Sequence, residues 1–173
     1  MRPKGKRNVS GDLVNKSNHS TQFSFISTPG LEYWTLCLLL LFTWWVFHTA
    51  TNGGFVWDDI AYVQTNIWLA KPMISCIKHF LNFNFVQGNY HPLTMILYSV
   101  IYKFAHLNPE WYHRVSIIFH LANTLLVYIF YSKISNHKSW ASLLVAGLFA
   151  IHPLHLESVA WISSLKDVLF VFF

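Results

Sequence analysis

Asp58 and Asp59 are adjacent carboxylates that follow Val56-Trp57, just beyond a long apolar run. A carboxylate near low dielectric is costly to hold unless it is paired, bound to metal or used in chemistry. Successive side chains diverge, so the two acids should hold different roles. One could act as a general base towards a hydroxyl, because desolvation raises a carboxylate's affinity for a proton. The plainer alternative is a solvated loop with an Asp helix cap. A second group, His152, His155 and Glu157, lies in the stretch His152-Pro153-Leu154-His155-Leu156-Glu157. His91-Pro92 has the same form, a His at the start of a helix whose first turn is fixed by Pro. His152 and His155 could share a helical face, whereas His155 and Glu157 could not. No Cys/His spacing fits zinc, and no metal ligands are assigned. Arg114 is suited either to bidentate contact with a phosphate or to snorkelling at a membrane edge. Lys166-Asp167 is either a local ion pair or a pair of charges added to the same pocket.

These residues must be positioned by membrane helices. The 173 residues are 54% hydrophobic, 18% aromatic and only 11% charged, where a soluble domain carries about a quarter charged. The formal charge of +5 is concentrated at the start, in Arg2, Lys4, Lys6, Arg7 and Lys16. Base beside an apolar span sets membrane orientation, so nucleic acid is set aside as a partner. Residues 1–32 read as a disordered basic cytoplasmic tail; their sequons at Asn8, Asn15 and Asn18 matter only in a secretory lumen. Tyr33–Ala50 spans roughly 27 Å as a helix, and reads as an uncleaved anchor rather than a signal peptide. Val115–Tyr131 is a second span, and Trp140–Ile151 a third, shorter one. His120 and Asn123 share a face inside the second, which should therefore pack within a bundle. A partly apolar stretch runs from Ile74 to Val86. Leu93–Ala105 is short and interrupted by Lys103, and could lie in the interface or re-enter the membrane. Cys37 and Cys76 imply no disulfide framework. The apolar run at Val168–Phe173 begins a further helix, and residues 33–173 are expected to be the N-terminal part of a larger membrane domain.

The fold class expected is therefore all-α, a polytopic membrane bundle whose long first outer loop carries interfacial helices. The basic tail favours a cytoplasmic N-terminus, which delivers residues 51–113 to the outer side. If Leu93–Ala105 does not cross, Lys133 and Lys138 fall in the cytoplasm and His152–Glu157 joins Asp58-Asp59 outside. If it crosses, the two polar clusters lie on opposite faces.

The ordered set Val56-Trp57-Asp58-Asp59, Tyr90-His91-Pro92-Leu93-Thr94, His120-Leu121-Ala122-Asn123, His152-Pro153-Leu154-His155-Leu156-Glu157-Ser158-Val159-Ala160-Trp161 and Lys166-Asp167 resembles the N-terminal membrane domain of the transmembrane-and-tetratricopeptide-repeat proteins. The likeness covers residues 55–173. Animal members resemble dolichyl-phosphate-mannose protein O-mannosyltransferases, and bacterial relatives carry a similar domain followed by repeats. The resemblance implies a polytopic glycosyltransferase, in the endoplasmic reticulum or the bacterial inner membrane. It also implies a helical segment in the first outer loop, an acid there (Asp58 or Asp59), and a second acid in the next outer loop (Glu157, or else Asp167). Tetratricopeptide repeats would follow downstream.

The reaction expected is inverting transfer of a sugar, mannose as first candidate, from a polyprenyl-phosphate carrier to a Ser or Thr hydroxyl of a protein. Asp58 or Asp59 would take the acceptor's proton, and Arg114, His91 or His155 would hold the departing phosphate. Glu157 would position the acceptor or hold a divalent cation; no other cofactor is expected beyond the lipid-linked donor. A transporter or channel subunit, and a non-catalytic membrane anchor for a repeat scaffold, are the alternatives from other classes.

Overall fold

The computed structural model describes residues 30–136 and 139–173. The basic tail with its sequons, and Lys138, lie outside the described residues. The rest is helical, with no β-strand among the described residues. Among the described residues, two helices are long and apolar enough to cross a membrane.

The first is α1 (Leu31–Phe47), whose run of Leu, Trp and Phe gives it no polar face. A 3₁₀ turn (His48–Asn52) extends it. It starts two residues ahead of the expected Tyr33, inside the stretch expected to be tail. The second is α4 (Pro109–Ile134), 26 residues that rise about 39 Å. It starts six residues ahead of the expected Val115. The local chemistry explains this: Asn108 caps it by accepting from Glu110 N (3.1 Å), Pro109 occupies the first turn, and Glu110 faces the positive end of the helix dipole.

α5 (Ser139–Ala150) returns antiparallel along α4. Ser135 at the end of α4 meets Ser142, and His120, near its middle, meets Ala150 at the end of α5. α1 lies against both. Its Phe47 ring packs on His120, with centroids 5.1 Å apart, and Leu39 lies beside Gly147. The chain then forms α6 (His155–Ala160), a 3₁₀ turn (Ile162–Ser164) and α7 (Leu165–Phe172). Lys166 and Asp167 therefore stand inside the first turn of the last helix, not before it.

Residues 53–108 close over one end of these helices. They contain a π-helical turn (Ile60–Gln64), a 3₁₀ turn (Ile67–Ala70), α2 (Met73–Leu81) and α3 (Pro92–Ala105). α2 buries Cys76 and Phe80 and exposes Ile74, Lys78 and Leu81. Of the apolar stretch Ile74–Val86, only the part up to Leu81 is helical. Asn82 and Asn84 favour turns over helix, Phe83 and Gln87 take left-handed φ of 52° and 49°, and Val86 and Asn89 exchange backbone hydrogen bonds at 3.0 Å. α3 begins with Pro92, as its sequence predicts, and buries Met95, Tyr98 and Ile101. Lys103, which interrupts this apolar helix, donates to the Ala70 and Lys71 carbonyls and so ends the Ile67–Ala70 turn. Cys37 and Cys76 are both free thiols.

One apolar core joins these parts. Tyr98, Phe80 and Leu69 from the 53–108 segment pack with Tyr112 and Ile117 of α4 and with Val159, Ile162 and Leu165. Burying each large side chain of this kind contributes roughly 1.5–3 kcal/mol. The Tyr98 hydroxyl donates to Ile162 O at 2.6 Å, which satisfies its one polar group inside the core.

Candidate functional site

The two adjacent acids divide sharply. Asp59 is fully buried and Asp58 is exposed. Asp59 Oδ1 accepts from the backbone N–H of Ser163 at 2.8 Å and from its hydroxyl. Asp59 Oδ2 accepts from Val56 N at 3.1 Å, while Asp59 N donates back to Val56 O at 3.0 Å. The second arrangement is a tight turn over residues 56–59, closed by one backbone hydrogen bond and one to the Asp59 side chain. A buried carboxylate is tolerated when several donors meet its oxygens, and here both oxygens are engaged.

That clamp sets the position of Asp58. Trp57, just before it, has a left-handed φ of 49°, a conformation costing roughly 1–2 kcal/mol for a residue with a side chain. Its ring meets Trp161 edge-on at 5.8 Å. Directly after Asp59 the chain winds as a π-turn, a rare form found mostly as short insertions at functional sites. The turn at residues 56–59 is thus held by two contacts to residues 161–163, and it presents the Asp58 carboxylate to solvent.

The remaining candidates fall into three groups. His152 and His155 lie with ring centroids 6.0 Å apart. His155 also packs on Phe149 at 4.5 Å and approaches His120 at 5.4 Å. Burial, and then the neighbouring His152, lowers the His155 pKa. Glu157 is exposed on α6, one turn ahead of Trp161. Among the described residues no group of three or more His, Cys, Asp or Glu is arranged to hold a metal ion.

His91 lies at the start of α3 beside Lys166 and Asp167 of α7. Burial lowers its pKa, Lys166 lowers it further, and Asp167 opposes. Its Nε2 is buried with no hydrogen-bond partner. Lys166 Nζ donates to Ser163 O at 3.4 Å, so the residue that clamps Asp59 also contacts this lysine.

Arg114 is engaged elsewhere. It pairs with Glu110 one turn back on α4 and lies 4.9 Å over the Trp111 ring. His120 and Asn123, the polar pair inside α4, act as ties between helices. His120 Nε2 donates to Ala150 O and Asn123 Nδ2 to Val168 O, both at 2.9 Å.

Two residues of the site carried no signal in the sequence. Ser163 is one of two consecutive serines, and its partner is 104 residues away. His113 is buried against the turn that ends α1. A Cβ on Gly53 would stand 3.1 Å from both its Nε2 and Ala50 O. A polar residue flanked by Tyr112 and Arg114 at a helix start reads as surface until its neighbours are known.

No family model matches the chain, and no solved structure matches it. Among curated proteins it is similar to protein O-mannosyl-transferase TMTC1 of Homo sapiens, with 33% identity over 107 residues, 62% of this chain and 11% of the relative. It is 29% identical over 125 residues to protein O-mannosyl-transferase Tmtc1 of Drosophila melanogaster, covering 68% of this chain and 14% of the relative. It is 28% identical over 147 residues to protein O-mannosyl-transferase TMTC4 of Homo sapiens, covering 73% and 20%. The chain thus spans a fifth or less of the length of these relatives, and over that span it resembles the TMTC protein O-mannosyl-transferases.

Proposed function

We propose that the full-length protein is a membrane glycosyltransferase. It moves a sugar, mannose first among candidates, from a polyprenyl-phosphate carrier to a Ser or Thr hydroxyl of a protein. The observation that supports this best is the Asp59–Ser163 clamp, which fixes the turn carrying the exposed Asp58 next to the segment that leads into Lys166 and Asp167. The relatives' shared name, protein O-mannosyl-transferase, supports the reaction class.

In this reading Asp58 is the general base and Asp59 a positioning residue. The acceptor oxygen attacks the anomeric carbon as its proton passes to Asp58. The bond from that carbon to the carrier's phosphate oxygen breaks, its electron pair leaves with the phosphate, and a single displacement inverts the configuration. Charge grows on the departing phosphate, so cationic or N–H groups aimed at it lower the barrier. His91 and His155 are suited to this. Arg114 is occupied by Glu110 and is given no part. Glu157 and Asp167, both exposed, remain available to orient the acceptor or a divalent cation.

The same clamp supports a membrane arrangement for this reading. α1 crosses outward from a cytoplasmic N-terminus, α4 returns, and α5 goes out again, while α2 and α3 rest at the outer interface. With an even number of crossings between them, Asp59 and Ser163 meet on one side. α5 rises only about 18 Å against a hydrocarbon core of roughly 30 Å. In this arrangement α5 falls short of a full crossing, which keeps the His152–Glu157 stretch close to the membrane.

The test is transfer by the full-length natural protein in membranes. Asp58→Asn should lower the rate roughly 10²–10⁴-fold with no loss of thermal stability. Transfer at the wild-type rate in Asp58→Asn would rule out Asp58 as the base.

A further inference from the structure

The start of α3 and the first turns of α7 enclose an open groove of about 370 Å³. One wall is apolar, from Leu93, Leu169, Phe170 and Phe173, and the other end carries His91 and Lys166. We propose that this groove holds the phosphate and the first isoprenoid units of the carrier lipid, with Lys166 as the phosphate-binding residue. The proposal rests on the glycosyl-transfer reading above, and it names where the donor lies.

The two ends of the groove ask for different chemistry. An aromatic and aliphatic wall gains nothing from a free inorganic anion, which is fully hydrated, and a neutral lipid gains nothing from an ammonium group. A phosphate joined to an apolar chain satisfies both. Lys166 is only partly exposed, and its one hydrogen bond among the described residues, to Ser163 O at 3.4 Å, is long. Most of its donor capacity is therefore free for an anion. His91 Nε2 is buried without a partner at the same end, and a neutral imidazole can offer one N–H without adding a second charge. The first-turn N–H groups of α3, after Pro92, add a favourable dipole. Asp167 opposes an anion here, but it is exposed and its charge is screened by solvent.

The groove also joins the proposed base. Lys166 contacts the Ser163 carbonyl, and Ser163 clamps Asp59, the residue next to Asp58. A phosphate on Lys166 would develop its charge next to a fixed cation as the sugar departs.

The experiment uses the full-length natural protein in nanodiscs of phosphatidylcholine, with a radiolabelled long-chain polyprenyl phosphate as probe. The wild type should bind it, and Lys166→Gln should weaken binding roughly tenfold or more. Lys166→Arg should restore most of the loss. Leu93→Trp, which narrows the apolar wall and keeps the lysine, should also weaken binding. The proposal is overturned if Lys166→Gln and Leu93→Trp both bind as the wild type does. It is equally overturned if the phosphate-free polyprenol binds as well as the phosphate, or if phosphatidic acid competes on equal terms. Lys166-dependent binding with no sugar transfer by the wild type would overturn the reaction and leave the groove standing. Transfer with an unchanged donor KM in Lys166→Gln would overturn the groove and leave the reaction standing.

Discussion

Asp59, in the loop after α1, and Ser163, in the turn after α6, are joined by two hydrogen bonds across 104 residues of chain. Both are buried, so each bond is protected from water. Asp59→Ala would remove the acceptor for three donors: Ser163 N, its hydroxyl, and Val56 N. Each buried group left unsatisfied costs roughly 1–3 kcal/mol, so a loss of several kcal/mol is expected. Ser163→Ala removes one bond and keeps the backbone N–H, and should cost about 1 kcal/mol. Thermal unfolding in detergent would measure both. Equal shifts in Tm for the two variants would mean that the Asp59 oxygens do not anchor this turn.

The helices were legible in the sequence where apolar length and a proline coincided. Leu93–Ala105 is legible nearly to the residue because Pro92 fixes its first turn, and Trp140–Ile151 because a polar loop and Pro153 bound it. The start of α4 lies ahead of its apolar run, across Trp111, Tyr112, His113 and Arg114, which look interfacial. Its signals were the cap Asn108, Pro109 at the first position and Glu110 beyond. That the adjacent Asp58 and Asp59 point to different surroundings is legible from adjacency alone, and the structure has one exposed and the other buried. Ser163 and the groove at Lys166 were beyond reach. Both depend on contacts between segments far apart in the chain, and neither has a local pattern.

The same bond makes a topological prediction. Asp59 and Ser163 cannot meet unless the loop after α1 and the turn after α6 lie on one face of the membrane. With Cys37 and Cys76 replaced by Ser, single cysteines at Asn52 and at Leu154, both exposed, should react with an impermeant thiol reagent from the same side of oriented vesicles. Labelling from opposite sides would require α3 to cross, and would dismantle the shared site.

Gly53 tests how tightly the end of α1 closes on α4. A methyl group there would meet Ala50 O and His113 Nε2 at 3.1 Å, closer than ordinary van der Waals contact. One of these atoms is backbone and the other belongs to a buried ring, so neither yields easily. Gly53→Ala should destabilise by roughly 1–3 kcal/mol, although alanine is otherwise the easier residue to order. Gly54, where a Cβ would meet nothing within 4 Å, is the matched control, and its alanine variant should melt close to the wild type. Equal melting of both variants would mean that this contact is loose.

Stability should fall on mild acidification, and the sign follows from three imidazoles outside the two long helices. Burial lowers the pKa of His79. Burial and Lys166 lower that of His91 against the opposing Asp167. Burial and His152 lower that of His155. In the unfolded chain each takes up a proton near the ordinary value of 6.5. Between that value and the lower folded one, the unfolded state binds more protons, so acid favours unfolding there. The contribution is complete above about pH 6.5 and is lost as the pH falls towards the folded pKa values. Melting curves between about pH 8 and about pH 5 should show Tm dropping in the lower half of that range. His91→Gln and His155→Gln, which cannot titrate, should each flatten the drop, and Lys166→Gln should flatten it through His91 alone. Profiles that keep the wild-type slope in all three variants would show that these imidazoles are as easily protonated in the folded protein as in water.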